Sequence, residues 1–138
     1  ENCDLSNISF AESSLYRVEF IFCKLLGTNF SETTLNHILL HECNAGYINL
    51  AMSKMNQVRF AHCLFRNGSF NDCRFSSVAF DSCDLEEADF SHAPLRGIDL
   101  RTSRISSITL NTSDLKGAII TSLQAMDLLP LLGVIIED

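Results

Sequence analysis

The sequence predicts an all-β solenoid built from five-residue units, with four units in each coil. The first observation behind this prediction is a row of apolar residues at every fifth position, which runs from Leu5 to Ile120 without a break. The second is a row of small or β-branched residues two positions before each of them. An α-helix would spread such a row around its circumference, and a flat strand would send successive members to opposite faces. A short extended segment followed by a turn, repeated every five residues, places both rows inside the solenoid.

The six cysteines indicate how many units form one coil. All of them lie in the row of small residues, and five share a spacing of 20, namely Cys3, Cys23, Cys43, Cys63 and Cys83. Four units per coil would stack these five in one column and would give about six coils up to Ile120. Because other members of this row are Val, Ile, Ala, Ser and Thr, we interpret the cysteines as buried packing residues in a reducing compartment. A redox or metal role is the alternative, although no CxxC motif occurs.

The sequence contains no recognisable catalytic or cofactor-binding motif. Patterns such as GxGxxG, GxxxxGK(S/T), HExxH and GxSxG are all missing. The four histidines fall on outward corner positions of the predicted coils, and none has a candidate nucleophile or carboxylate at a fixed spacing. We therefore predict a non-enzymatic protein that needs no cofactor and no metal.

Charged residues separate onto different faces when the sequence is wrapped with a period of 20. The face of residues 8–12 and their equivalents contains acids and no Lys or Arg, whereas the next face, residues 13–17 and equivalents, has Asp114 as its only acid. The bases of that second face are Arg17, Lys54, Arg74, Arg96 and Lys116. We predict that the base-free face and a dense acidic stretch beside it bind a partner. The predicted contact residues are Glu12, Glu32, Asp72, Asp81, Asp84, Glu86, Glu87 and Asp89. The alternative is that these acids only keep the solenoid in solution.

Residues 121–138 follow a different pattern from the repeats of residues 1–120, so we predict a second unit there. Thr121 and Gln124 have the spacing of a capping box, which predicts a helix from Ser122. Pro130 and Gly133 should limit it, and residues 134–136 should form a short strand. The tail contains more apolar residues than one cap needs, which predicts a dimer interface. Its predicted residues are Leu123, Met126, Leu128, Leu129, Leu131, Leu132, Val134 and Ile136. A monomeric cap is the alternative.

Four segments resemble the loose consensus A(D/N)LXX of the pentapeptide-repeat family. They are CysAspLeu at 83–85, AlaAspPhe at 88–90, IleAspLeu at 98–100 and SerAspLeu at 113–115. The resemblance implies a right-handed quadrilateral β-helix over residues 1–120. Residues 115–135 also resemble the C-terminal module of the Qnr/MfpA-type subfamily, whose members are DNA mimics that bind type II topoisomerases and give fluoroquinolone resistance. The subfamily implies a head-to-head dimer. No loop interrupts residues 5–120, so the comparison is with loopless members.

The resemblance and the acidic face together predict a DNA mimic that binds DNA gyrase or topoisomerase IV in the cytoplasm. A general interaction scaffold with an unrelated partner is the alternative, and an enzyme-associated or toxin-immunity module is a third. With a net charge of −7, we expect no direct contact with nucleic acid, and no apolar run is long enough to expect a membrane contact. Apolar residues at outward positions suggest either a partner patch or a surface covered by an upstream segment. They are Ile21, Phe22, Leu26, Leu39, Tyr47 and Leu64.

Overall fold

The computed structural model describes all residues from Glu1 to Asp138 and consists of a parallel β-solenoid followed by a short helix. Its strands are β1 (Ser14–Tyr16), β2 (Glu19–Ile21), β3 (Thr34–His41), β4 (Lys54–Ala61) and β5 (Arg74–Asp81). They form one parallel sheet in which each residue pairs with the residue 20 positions later. Isolated bridges with the same offset continue the stacking from Asp4 to Ile119. The predicted solenoid and its 20-residue coil are therefore confirmed.

Continuous strands cover fewer turns than the six equal coils that we predicted. Strands of eight residues form in about three successive turns, as β3, β4 and β5, and single bridges hold the coils outside them. Pro94 gives a physical reason for the end of this series. It takes the place that Arg74 has in β5, where the Arg74 amide donates to Ser53. A proline has no N–H to continue this ladder.

The corners of the coils depend on a left-handed backbone conformation that recurs every five residues. In β3, β4 and β5 the strand turns at His37, Gln57 and Ser77, whose φ angles are 56°, 55° and 55°. Each eight-residue strand therefore covers two faces. Other corners are tight turns closed by a backbone hydrogen bond, as from the Thr28 amide to the Leu25 carbonyl at 3.2 Å. Positive φ is costly for most non-glycine residues, so the stacking of coils must maintain it.

The interior of the solenoid contains the two rows that the sequence defined. Every member of the apolar row from Phe20 to Leu110 is buried except Phe75, which is partly buried. Phenylalanines in neighbouring coils stack face to face. The ring centroids of Phe70 and Phe90 lie 4.7 Å apart, and the angle between the ring planes is 5°. This separation matches the spacing of about 4.8 Å between neighbouring strands in a sheet. The core thus consists of side chains stacked along the axis of the solenoid.

The C-terminal end of the solenoid is covered by a short helical segment. A 3-10 helix (Thr112–Leu115) precedes the α-helix α1 (Ser122–Leu128), and a second 3-10 helix (Leu129–Leu132) follows it directly. The predicted capping box of Thr121 and Gln124 is present, and Gly133 ends the segment with φ of 76°. The strand predicted at residues 134–136 was wrong, because these residues have no strand partner. The division of the chain into two domains stays a prediction.

Candidate interaction surfaces

Three of the predicted contact residues form a vertical acidic column on one corner of the solenoid. Glu12, Glu32 and Asp72 have φ of 61°, 54° and 58°, and this conformation turns each side chain away from the core. All three are exposed, and none has a cation within ion-pair distance. Met52 occupies the same column between Glu32 and Asp72 and is half exposed. We call Glu12, Glu32 and Asp72 the acidic column.

The dense acidic stretch at residues 81–89 is largely engaged within the chain. Asp81 accepts a hydrogen bond from the Arg59 guanidinium at 2.7 Å. Glu86 accepts from Arg66 at 2.9 Å and from Arg104 at 3.3 Å. These contacts neutralise two of the predicted contact residues. The sequence reasoning missed them, although the 20-residue period already places Arg66 beside Glu86, and Arg59 and Arg104 lie 22 and 18 residues from their partners.

Two further acids of this stretch stabilise their own corners. The Asp84 carboxylate accepts from the Glu86 amide at 3.0 Å, and the Asp89 carboxylate accepts from the Ser91 amide at 2.9 Å. Asn29 and Asn49 make the same contact at their corners. The Asp or Asn of the five-residue motif is therefore explained by an Asx turn. Of the predicted residues between 81 and 89, Glu87 alone is exposed, and its side chain makes no hydrogen bond or ion pair.

The cysteines are free thiols that pack inside the solenoid. All except Cys3 are buried, and the structure contains no group of three or more metal-ligating side chains. Cys43, Cys63 and Cys83 form a column in which each thiol donates to the backbone carbonyl 23 residues earlier, at 3.2 to 3.3 Å. In a neighbouring column, burial raises the pKa of the Cys73 thiol to about 11. A thiol with a raised pKa is a poor nucleophile, which supports a packing role for Cys73.

Aromatic contacts link three of the four histidines, His37, His41 and His62, to neighbouring coils. His41 lies between Phe22 and His62 at centroid distances of 5.8 and 6.2 Å. His37 packs edge-on against Tyr16 at 5.4 Å. Phe22, Leu26, Tyr47 and Leu64 are among the exposed apolar side chains predicted at outward positions, and Ile21 and Leu39 are partly buried. Leu64 pairs with Asp84 in a parallel bridge, so this apolar set adjoins the acidic stretch of residues 81–89.

The apolar residues of the C-terminal segment fall into two groups. One group, which we call the plug, packs on the core at the end of the solenoid, and the other group is exposed. Leu128 is 6 % exposed and joins the core, and Leu131 packs against that core. Leu128 is therefore part of the plug, although we predicted it at a dimer interface. Leu129 is partly buried. The remaining predicted interface residues are exposed, namely Leu123, Met126, Leu132, Val134 and Ile136.

Gln124 is a structural residue whose full role the sequence did not reveal. Its side-chain nitrogen donates to the Leu100 carbonyl at 2.6 Å and to the Ser103 carbonyl at 2.8 Å. Its side-chain oxygen accepts from the Thr121 amide, which completes the capping box. Gln124 thus joins the helix to the open end of the coils. The capping-box spacing pointed to this residue, but it gave no sign of the contacts more than 20 residues away.

The fold and these surfaces define a β-solenoid scaffold that presents flat exterior faces. A family model described as a pentapeptide repeat region matches residues 1–63 and 53–125. This protein belongs to the pentapeptide repeat family. No curated protein matches the sequence. No helix of the structure has the length and apolar character needed to cross a membrane.

Solved structures with low sequence identity share the fold. HetL, a pentapeptide repeat protein involved in heterocyst differentiation regulation from the cyanobacterium Nostoc, matches with 19 % identity and a TM-score of 0.61. The alignment covers 86 % of this chain and 54 % of HetL, so the chain spans about half the length of that protein.

Two other solved structures align with lower TM-scores. A pentapeptide repeat protein from the Arabidopsis thaliana thylakoid lumen is 21 % identical with a TM-score of 0.42, over 69 % of this chain and 70 % of that one. A trypsin-treated form of QnrB1, a plasmid-mediated fluoroquinolone resistance protein, is 19 % identical with a TM-score of 0.39, over 99 % of this chain and 86 % of that one.

Proposed function

We propose that this protein is a non-enzymatic DNA mimic that binds DNA gyrase or topoisomerase IV in the cytoplasm and competes there with DNA. The observation that carries the proposal is the acidic column. Its three carboxylates are exposed, form no ion pair and are held by the backbone lattice on a face without Lys or Arg. A rigid row of anions is the feature that a DNA-gripping basic surface recognises. The resemblance of residues 115–135 to the Qnr/MfpA-type tail supports the same partner.

The magnitude of the charge restricts the mimicry to a part of the surface. Of the 17 acids, three lie beyond residue 120 (Asp127, Glu137 and Asp138), so the solenoid has 14 acids against 10 bases. Six coils would span roughly 29 Å at about 4.8 Å per coil, and duplex DNA of that length carries about 17 negative charges. The whole solenoid is therefore a weak copy of DNA. The contact must use the acidic column, or a longer surface formed by two copies.

The first prediction concerns the activity of the proposed partner. Micromolar protein should inhibit supercoiling by DNA gyrase, or restore supercoiling that ciprofloxacin has blocked, because the acidic column would compete with DNA for the enzyme. Supercoiling assays with and without the drug measure both effects, and the effect should weaken with added salt. If supercoiling by gyrase and decatenation by topoisomerase IV are unchanged in every condition, the partner is not one of these enzymes.

The second prediction assigns the contact to the acidic column. Replacing Glu12, Glu32 and Asp72 by Lys should weaken binding to gyrase by at least about tenfold at low salt, since like charges would then face each other. The matched control replaces the exposed acids Glu1, Glu19 and Glu42 by Lys, which changes the net charge equally. Surface plasmon resonance measures both. Equal losses in the two variants would mean that net charge, and not the column, governs binding.

A general scaffold with a different partner is the second candidate function. The exposed side chains of Phe22, Leu26, Tyr47 and Leu64 favour it, since they lie on the solenoid away from the acidic column. Exposed apolar groups of this kind mark protein interaction surfaces. If this protein affects neither topoisomerase, the apolar surface becomes the candidate binding site for a different partner.

We also propose that the exposed apolar residues of the tail form a two-fold dimer contact. Leu123, Leu132 and Ile135 are 81 %, 60 % and 82 % exposed in the single chain. A two-fold contact buries the same patch on both copies and closes without further growth. It would also double the length of the acidic surface available to a partner.

A further inference from the structure

The ten Lys and Arg side chains fall into two groups that differ in position and in pairing. Four arginines form ion pairs with acids of the chain, namely Arg59, Arg66, Arg101 and Arg104. The other six have no carboxylate within ion-pair distance, and five of these lie on the face of residues 13–17 and equivalents. We call this set the basic face: Arg17, Lys54, Arg74, Arg96 and Lys116. Every member is exposed.

The backbone lattice orders the basic face. Lys54 and Arg74 are direct partners in the pairing of β4 with β5, so their side chains leave the sheet one above the other. The only acid on this face, Asp114, is engaged by the His92 amide at 3.1 Å. A shallow groove of about 240 Å³ is lined by these two cations, by Thr34, Asn36, Asn56 and Ser76, and by the apolar side chains of Met55 and Phe75. The free cations therefore adjoin neutral polar side chains as well as two apolar ones.

These side chains match the chemistry of a phosphodiester backbone. Lys and Arg together with Ser, Thr and Asn supply most side-chain contacts to phosphate oxygens. At one end of the face Tyr16 is 58 % exposed, and the Arg17 guanidinium lies 5.0 Å from its ring centroid. An exposed aromatic ring beside a basic row is the arrangement on which bases of single strands stack.

The same face lacks what other anionic partners need. Tyr16 is its only exposed large apolar side chain, and the groove has only Met55 and Phe75 as apolar lining residues, so an amphipathic acidic helix would find few apolar contacts there. The face is also narrow, since five strand residues span about 16 Å at about 3.3 Å each. The acidic column borders it on one side and would repel the second strand of a duplex. A thin, flexible polyanion avoids this repulsion.

We propose that the basic face binds a single-stranded nucleic acid through its phosphates, independently of the acidic column. The net charge of −7 led us to expect no direct contact with nucleic acid. That sum averages over faces, whereas close contacts depend on the charges of the face that the partner meets. On the basic face those charges are five cations without an ion-pair partner.

The test is the salt dependence of binding to a fluorescein-labelled oligo(dT) of twelve nucleotides, measured by fluorescence anisotropy. With about 0.7 counterions released per contact, five cations predict a slope of about −3.5 for log affinity against log salt. The variant Lys54→Gln, Arg74→Gln, Arg96→Gln keeps two cations, so its slope should fall to about −1.4. Its affinity at 20 mM salt should fall more than tenfold.

Two controls separate the basic face from net charge and from misfolding. The variant Arg59→Gln, Arg66→Gln, Arg104→Gln removes three charges that are already paired, and it should bind within about threefold of the unaltered protein. The variant Lys54→Arg, Arg74→Lys, Arg96→Lys keeps the charge and should keep the slope. The proposal is overturned if the unaltered protein shows no salt-dependent binding, if both Gln variants lose affinity equally, or if poly-glutamate displaces oligo(dT) at equal charge concentration.

Discussion

At the scale of single residues, the acids of this protein have two different tasks. Asp84, Asp89 and Asp99 each accept a hydrogen bond from the amide two residues later, which holds the corner in shape. Glu12, Glu32 and Glu87 occupy the left-handed corner positions and make no such contact. Among these six residues, the Asp before the apolar residue supports the fold, whereas the Glu at the left-handed position is free for a partner. Their position in the five-residue unit distinguishes the two tasks.

Asp99 provides a residue-scale prediction about pH. Its hydrogen bonds from the Arg101 side chain and amide lower the pKa of its carboxyl from 3.8 to about 2. Because the folded-state pKa is depressed, the stabilisation is complete above about pH 4 and disappears as the pH falls through 2. In Arg101→Gln the pKa should rise but stay below 3.8, since the amide still donates. Carboxyl titration by NMR measures this pKa.

Arg104 supplies the control for this titration. Arg104 pairs with Glu86 and not with Asp99, so Arg104→Gln should leave the Asp99 pKa in place. A midpoint for Asp99 near 3.8 in the unaltered protein would contradict the hydrogen bonds described for its corner.

At the scale of elements, the C-terminal helix behaves as a plug that completes the solenoid. Coils inside a solenoid have neighbours on both sides, but the last coil lacks one. Leu128 covers its apolar interior, and Gln124 pairs with its carbonyls at Leu100 and Ser103. The helix contains seven residues, which is too short to be stable alone. Its stability therefore comes from the contact with the coils.

Gln124→Ala should destabilise the protein by about 1–3 kcal/mol, because two buried carbonyls would lose their donor. The capping box would be lost as well. Urea unfolding measures the change. The neighbouring Ser122→Ala is the control, since Ser122 is exposed and its replacement should change stability by less than about 0.5 kcal/mol. Equal unfolding midpoints for both variants would refute the role of Gln124 as a plug.

The elements also show how far sequence reasoning reaches. The two interior rows and the 20-residue coil were predictable because they depend on side-chain periodicity, which needs no knowledge of distant contacts. The end of the long strands at Pro94 follows from a known property of proline, yet we did not predict it. The pairing of Arg59 with Asp81 and of Arg66 with Glu86 could not be read from the sequence. Such pairs depend on rotamers across coils, which a column alignment does not fix.

At the scale of the whole molecule, the arrangement of charge and apolar surface gives the solenoid distinct ends and sides. The acidic column and the basic face lie on adjacent sides, and the apolar tail residues lie at the C-terminal end. The candidate site was partly predictable, since the base-free face was visible once the sequence was wrapped. The neutralisation of Asp81 and Glu86 reduced that site to fewer residues.

Dimer formation is a prediction for the whole molecule. The unaltered protein should sediment as a dimer at tens of micromolar, and Leu132→Asp should convert it to a monomer by placing a charge in the apolar contact. Leu132 is suited to this test because it is 60 % exposed, whereas a change at Leu128 would disturb the core. Tyr47→Asp, on a distant exposed residue, should remain dimeric. A monomeric unaltered protein, or a dimeric Leu132→Asp variant, would exclude this interface.

The fixed 20-residue register has a consequence for insertions and deletions. Adding one residue would move the following apolar row out of the core, but adding five would keep every core residue inside. Those five residues would rotate all later exterior side chains by a quarter turn, so that Asp72 would no longer stand above Glu32. Adding 20 would restore the alignment and lengthen the molecule by one coil. The effect of an insertion therefore depends on its length. An insertion of one residue disturbs folding, an insertion of five rearranges the exterior, and an insertion of 20 preserves both the core and the exterior alignment.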